Sequence, residues 1–308
     1  MMSSVPRNIF IIAALAVLVT TAGAAASPAY GQRPFPIFYE EAETFRRAIG
    51  QAESIAPLQE RVNGITLPHH LLAIDLIAGG MALIRDQQYD RIIILSPDHF
   101  RRGATAFSLP ERDFLTSLGH VTLDRQGAEV LLQNSKVSVS SLFSHEHGVQ
   151  AILPFIAHHF PEVPVLPLAL SISSGKRDWD SLVESLLPLL TEKTLLVQST
   201  DFSHYLPWQD AIAHDNETLR VLASGKPERV ETLHQPRHLD SRAAQYLQIA
   251  VQAMVYNARP TVIANVNSSE YLPAGEQILT ETTSYIVQIY SADQLPSLAL
   301  PDKRSARP

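Results

Sequence analysis

Arg91-Ile92-Ile93-Ile94-Leu95-Ser96-Pro97-Asp98-His99 is the stretch that decides the fold. Its β-branched run has no polar face, and a strand that is apolar on both sides has to be covered on both sides, as in a sheet with helices above and below. The run ends at Ser96-Pro97, and a histidine follows. Working outward, the same design recurs twice. Gly64-Ile65-Thr66-Leu67 stops at Pro68 and leads into His69-His70, and Thr194-Leu195-Leu196-Val197-Gln198 empties into Ser199-Thr200-Asp201-Phe202-Ser203-His204-Tyr205.

Helical periodicity separates these runs. Residues 71–84 read as a helix of largely apolar circumference, and 40–49 as an amphipathic one. Residues 148–160 read as a helix bent or restarted at Pro154, and 179–190, 208–223, 228–233 and 241–256 as further helices. Residues 163–168 form an expected strand interrupted by prolines, and late strands at 261–267 and 282–290 close the sheet. The expected class is α/β, three layers, with a largely parallel or mixed central sheet and helices on both faces.

With 308 residues and 45% apolar composition the chain can bury one large core, and no linker divides it, so one domain is expected over 27–295, followed by a frayed, solvated tail at 296–308. Arg7, the apolar run 9–19 and the small residues up to Ala26 have the order of a secretory signal peptide cleaved after Ala26. The rival is an uncleaved anchor, because 9–26 reaches most of the way across a bilayer that needs roughly 20 apolar residues. The expected location is therefore exported, periplasmic or extracellular, or else anchored to a membrane by this segment alone. A net charge of −7 without a Lys/Arg cluster excludes a nucleic-acid surface. The absence of cysteine excludes disulfides and thiolate ligands, so any metal must be held by nitrogen and oxygen.

In open α/β sheets the ligand crevice lies outside the carboxyl ends of the strands. Three such ends carry histidine here, and Ser144-His145-Glu146-His147 is placed beside them. Histidine is the commonest neutral ligand for Zn, Fe, Cu and Ni, and two histidines with one carboxylate suit non-haem Fe(II). Asp98 and Asp201 have two readings, as partners that fix a histidine tautomer or as helix caps. His158-His159 reads as a pair at a helix C-terminus, and His238 is of interest only because it approaches Asp240. No G-x-S-x-G elbow, G-x-G-x-x-G or P-loop is present, which argues against a serine hydrolase and a nucleotide cofactor.

Taken together, the motifs resemble those of the Memo-like family, also called AmmeMemoRadiSam system protein B, whose fold is distantly related to the class III extradiol dioxygenases. Phe38-Tyr39 resembles its aromatic opening motif, Leu67-Pro68-His69 its first histidine motif and Leu95-Ser96-Pro97-Asp98-His99 its second. His145-Glu146-His147-Gly148 and Leu153-Pro154-Phe155 resemble its Glu-His segment and Leu-Pro pair, and Ser199 to Tyr205 matches most closely. The resemblance implies that His69 and His99 are metal ligands, with a third ligand just before the helix starting near Ser241. Family members with Cys-Gly-Arg there use the cysteine; this chain has Leu239-Asp240-Ser241-Arg242, so Asp240 replaces the thiolate, unless it merely caps the helix. The implied set shifts preference from Cu(I) toward Fe(II), with Cu or Zn as other divalent candidates.

The function expected from this resemblance is a metal-dependent, dioxygenase-like oxidoreductase acting on a small molecule. His204, held by Asp201, is the expected general acid or base, and His147, in the same segment as Glu146, positions the substrate. The alternatives are a non-catalytic metal-handling protein and a metal-free binder of peptides or small molecules using the same cleft.

Overall fold

The computed structural model describes residues 33–273, 280–293, 295 and 300. The expected leader at 1–26 lies outside them. Among the described residues no helix is long and apolar enough to cross a membrane.

In chain order the helices are α1 (Ala42–Ala52), α2 (Ile74–Ile84), α3 (Arg125–Leu131), α4 (His147–Gln150), α5 (Leu153–His159), α6 (Lys176–Leu186), α7 (Trp208–Ala223) and α8 (Arg242–Val255). The strands are β1 (Gly64–Leu67), β2 (Arg91–Pro97), β3 (Phe107–Leu109), β4 (Phe114–Thr116), β5 (Gly119–Val121), β6 (Val137–Val139), β7 (Val165–Leu170), β8 (Thr194–Ser199), β9 (Phe202–Leu206), β10 (Arg259–Asn267) and β11 (Thr282–Ser291). Strands β4 and β5 form a separate antiparallel pair. The main sheet runs β10-β11-β1-β8-β2-β7-β3-β6, with β9 also on β11. Strands β1, β8, β2 and β7 are parallel, so their carboxyl ends share one edge, while β11 and β10 pair antiparallel beside them. The sheet is mixed, as expected.

Alternation along β2 creates the three layers. Ile92 and Ile94 enter one core with Phe45, Ile77, Met81 and Phe155, whereas Ile93 enters the other with Trp179, Leu182, Leu247 and Val251. All three isoleucines are wholly buried, and each contributes roughly 1.5–3 kcal/mol through the apolar area it removes from water.

The core on the α8 side is partly polar. Thr66 Oγ1 donates to Gln198 Oε1 (3.0 Å), Gln198 Nε2 to Gln245 Oε1 (3.1 Å), and Gln245 Nε2 to the Tyr290 hydroxyl (3.3 Å), which donates to Gln288 Oε1 (3.1 Å). Gln248 Nε2 donates to Leu196 O (3.3 Å) and Gln252 Nε2 to Asn63 O (2.9 Å). A β-carbon at Gly64 would collide with the amides of Gln248 and Gln252, so glycine leaves the room in which these side chains reach the strand carbonyls.

The helix at 148–160 does restart at Pro154: it is two helices, with the proline in the first turn of α5, where its missing N–H costs nothing. Two other readings are corrected. Prolines do not interrupt β7. The amides of Val165 and Ser171 point away from β2, to Thr122 O and Ala106 O; Pro167 shares that direction by parity, and β3 pairs only with Ala169 and Leu170. Finally, the segment after β8 is not simply a loop: β9 re-enters the sheet. Ser284 of β11 pairs with Asn267 on one side and Phe202 on the other, so β9 covers the edge of β11 that β1 leaves open. Within the expected tail, Leu300 donates its N–H to Ile263 O (3.3 Å) and lies over Gly79.

Candidate metal centre

Five parts of the chain deliver side chains to the carboxyl edge. His69 follows β1, His99 follows β2, Glu146 and His147 open α4, and His204 lies on β9. Asp240 comes from the segment before α8, which is fastened to the start of β9: Asp201 and Asp240 exchange hydrogen bonds, Asp201 N–H to Asp240 Oδ2 (3.1 Å) and Asp240 N–H to Asp201 O (3.1 Å), and Phe202 bridges Leu239. Both neighbours of His204 have left-handed backbone, Ser203 at φ 40 and Tyr205 at φ 57, a strain that non-glycine residues carry mostly where the surroundings impose it. Gly148 meets a different demand: a β-carbon there would strike Ser96 Oγ and crowd His99, so α4 approaches the histidines only with glycine at that position.

The hydrogen bonds behind the two leading histidines fix their tautomers. Ser199 Oγ gives its proton to Gly148 O (2.5 Å), so toward His69 Nδ1 (3.1 Å) it can only accept; Nδ1 carries a proton, which leaves Nε2 to face the cleft. His99 Nδ1 donates to Glu146 Oε1 (2.5 Å), and the other Glu146 oxygen accepts the His99 N–H (3.0 Å), so Glu146 fixes both ring and backbone. Asp240 Oδ2 lies 3.2 Å from His69 Nε2, 3.7 Å from His99 Nε2 and 3.8 Å from His204 Nε2. One ligand atom each of His69, His99 and His147 also lie within 4.8 Å of one another. The cleft therefore has a three-histidine group able to hold a divalent metal, with the buried Asp240 carboxylate beside two of its members, His69 and His99.

Charge follows from this packing. Burial pushes the Asp240 carboxyl up, but His69 and the contacts from His204, His69 and His99 outweigh it and hold it well below the usual range. Burial lowers His99, yet Asp240 and Glu146 overcome this and raise it to about 10. Burial also lowers His69, and the charges of Asp201 and Asp240 raise it overall. His147 is lowered to about 4, first by burial and then by repulsion from His99 and His69. Without a metal, a protonated His99 supplies positive charge to the buried carboxylates, and the same carboxylates favour the protonated form of His69. Two buried atoms here lack a hydrogen-bond partner among the described residues, Asp240 Oδ1 and His204 Nε2. A donor set of two neutral imidazole nitrogens and a carboxylate, with such open atoms beside it, fits a divalent ion.

All seven residues singled out in the sequence meet at this edge, but not all in the expected roles. Asp201 does not hold His204; its Oδ1 accepts the His69 N–H (3.0 Å), and His204 Nδ1 instead faces Thr283 Oγ1 (3.3 Å). Asp98 is no histidine partner either, since its carboxylate closes the following loop on Arg102 N–H (3.1 Å) and Gly103 N–H (2.7 Å). Asp240 is not the helix cap: Ser241 Oγ fills that position, accepting from Ala244 N–H (3.1 Å). His238 is occupied away from the cleft, its Nε2 at 3.0 Å from Glu217 and its Nδ1 accepting the His234 N–H (3.1 Å). His158 and His159 do end α5, and His159 is lowered to about 4 by burial, which outweighs any preference of the helix end for charge. The cleft has a volume of about 700 Å³ and is also lined by Tyr39, His70, Leu71, Leu72, Tyr205 and Thr283. Of these, Tyr39, His70 and Tyr205 lay in stretches already singled out in the sequence, Leu71 and Leu72 follow His70 directly, and only Thr283 depends on how β9 and β11 meet.

Comparison with known proteins agrees with the motifs. The family described as Memo-like protein matches residues 37–269. A MEMO1 family protein of Thermotoga sp. (strain RQ2) is 26% identical over 191 residues, covering 59% of this chain and 69% of that protein. A MEMO1 family protein of Pyrobaculum aerophilum is 30% identical over 122 residues, covering 38% of this chain and 43% of that protein. Among solved structures, uncharacterized protein JW3007 from Escherichia coli K12 aligns with a TM-score of 0.48 at 14% identity, over 74% of this chain and 99% of that one, a likeness too slight to carry an inference.

Proposed function

The chain belongs to the Memo-like family, and on that premise we propose that its cleft binds one divalent metal, iron(II) by preference, on His69, His99 and Asp240, for oxidoreductase chemistry of the dioxygenase type on a small oxygen-bearing substrate. One observation carries the reading. Two histidines have their Nδ1 protons committed to partners behind them, and both turn Nε2 toward the same buried carboxylate oxygen. Asp240 is preferred to His147 as the third donor because it is charged, buried and aimed by the Asp201 N–H. His147 has a side chain 34% exposed, and its ring lies over that of His99 at 4.0 Å, a position for contacting a substrate.

Bound iron would supply electrons for reaction with O₂ and a Lewis acid for a substrate oxygen. The chain's own residues do the rest. Glu146 and Ser199 keep the two ligand rings in register, and Asp201 fixes the His69 backbone. His204, whose Nε2 has no hydrogen-bond partner among the described residues and whose Nδ1 lies toward Thr283, is placed to take or return a substrate proton. Leu71, Leu72, Tyr39 and Tyr205 give the substrate's apolar body a dry wall. Export, supported by the leader-like first residues, belongs to the same proposal.

Elemental analysis of protein purified without a tag or chelator tests the metal, with Asp240→Ala alongside. About one iron per chain, falling away in the variant, is expected, followed by O₂ uptake with catechol-type compounds. Metal without turnover across such a panel would favour metal handling over catalysis. No metal after anaerobic reconstitution with Fe(II) would overturn the proposal.

A further inference from the structure

His70 stands apart from the other histidines of the cleft. His69, His99, His147 and His204 each have a carboxylate oxygen within 4.0 Å, from Asp201, Asp240 or Glu146. His70 has none among the described residues. Its Nδ1 lies 2.7 Å from the hydroxyl of Tyr285, a side chain that is wholly buried in β11. Among the described residues that hydroxyl has no other acceptor, and burial holds the phenol protonated, far above its ordinary range. The O–H therefore donates to Nδ1, and the His70 proton resides on Nε2. His70 is exposed, lines the cleft with Leu71, Leu72 and Tyr205, and its Nε2 has no partner among the described residues. The cleft thus presents one fixed N–H donor that no carboxylate among the described residues occupies.

We propose that His70, oriented by Tyr285, is a specificity-determining residue whose Nε2–H donates to a carboxylate or carbonyl oxygen of the substrate, separate from the oxygen that meets the metal. The substrate class is then an oxygen-donor compound with an apolar body and a second oxygen function. This rests on the metal-site reading above. Tyr285 acts through His70 and is a positioning residue. Leu72 and Tyr205, 41% and 71% exposed, are the apolar surfaces left for the body to cover.

Two measurements test this separately. Nitrogen-15 long-range NMR on the histidine-labelled metal-free protein reads the tautomer: His70 is expected as Nε2–H, moving to a mixture in Tyr285→Phe. An Nδ1–H tautomer in the unsubstituted protein overturns the proposal whatever the function. Calorimetry on the Zn(II)-loaded protein then compares catechol with 3,4-dihydroxybenzoate, which differ by one carboxylate. His70→Phe is expected to weaken the carboxylate compound about tenfold relative to catechol, with Tyr285→Phe doing so less and metal content unchanged in both. An unchanged ratio with normal binding overturns the role of His70 alone, and loss of zinc in His70→Phe makes it a ligand instead, which also overturns it. Failure of both compounds to bind the unsubstituted protein defeats the catechol-type reading of the site, and with it the acceptor assigned here.

Discussion

The same strands bury two polar regions, an amide layer under α8 and the histidine cleft at their carboxyl ends. The first joins Thr66, Gln198 and Tyr290 to the glutamines of α8; the second gathers His69, His99, Glu146, Asp201 and Asp240. Gln198 and Ser199 are neighbours on β8, yet one belongs to each region. Both leave buried atoms without a partner among the described residues: Gln248 Oε1, Gln252 Oε1 and Gln288 Nε2 in the layer, Asp240 Oδ1 and His204 Nε2 in the cleft. An unpartnered polar atom is therefore no mark of a site. What separates the regions is charge and convergence: the amides are neutral and bond in a chain from one to the next, whereas several ionisable groups in the cleft aim at one point and need a cation there, proton or metal.

Substitution at that point should have the largest effect. His69→Ala and His99→Ala are each expected to reduce retained metal to background by elemental analysis, while Gln245→Leu and His158→Ala keep it; metal surviving in both cleft variants would erase the distinction. Glu146→Gln should weaken metal binding about ten- to hundredfold in a competition titration with a coloured chelator, because it loosens the ring of His99 without removing a ligand. An unchanged affinity would reduce Glu146 to packing.

The pH dependence sharpens the comparison further. His99 is raised to about 10, so at neutral pH the metal-free ring carries a proton that an incoming ion must displace. Apparent metal affinity should then rise about tenfold per pH unit for each such proton, from pH 6 toward 9, and fall as pH drops. The amide layer contains nothing that titrates in that range, so Gln245→Leu should leave the slope alone. A flat profile would mean that His99 is already neutral. The smallest effect is expected in the layer itself. Gln245→Leu leaves Gln198 Nε2 and the Tyr290 hydroxyl short of partners and should cost about 1–3 kcal/mol in urea unfolding, with metal stoichiometry unchanged. Loss of metal in that variant would join the two regions into one unit.

Strands β1, β2 and β8 could be read directly, because an apolar run ended by proline or a polar cluster admits few other structures, and their carboxyl ends gave His69, His99 and Asp201. Strands β3 to β6 could not be read, since three residues contain no measurable period. Strand β9 was hidden for another reason: Phe202-Ser203-His204-Tyr205 pairs only because β11 extends past β1, which is a fact about distant residues. Gln245, Gln248 and Gln252 have helical spacing, and a polar stripe of that kind ordinarily faces water; here the strands below supply the amide partners. The part of Glu146 was half legible. Its place beside the histidines was expected, but nothing local indicates which ring it would hold.

Strand β11 holds β1 through Gln288 to Tyr290 and β9 through Thr282 and Ser284, and its Tyr285 and Thr283 touch His70 and His204. One continuous strand thus serves as the ruler from which two walls of the cleft are measured. A residue inserted between Ser284 and Gln288, unless absorbed by a bulge, would put the two pairings out of step, by about 3.3 Å along the strand and by a reversal of its faces, and so displace His204 against His69. The working distances of the cleft are recorded in the uninterrupted count of residues along β11.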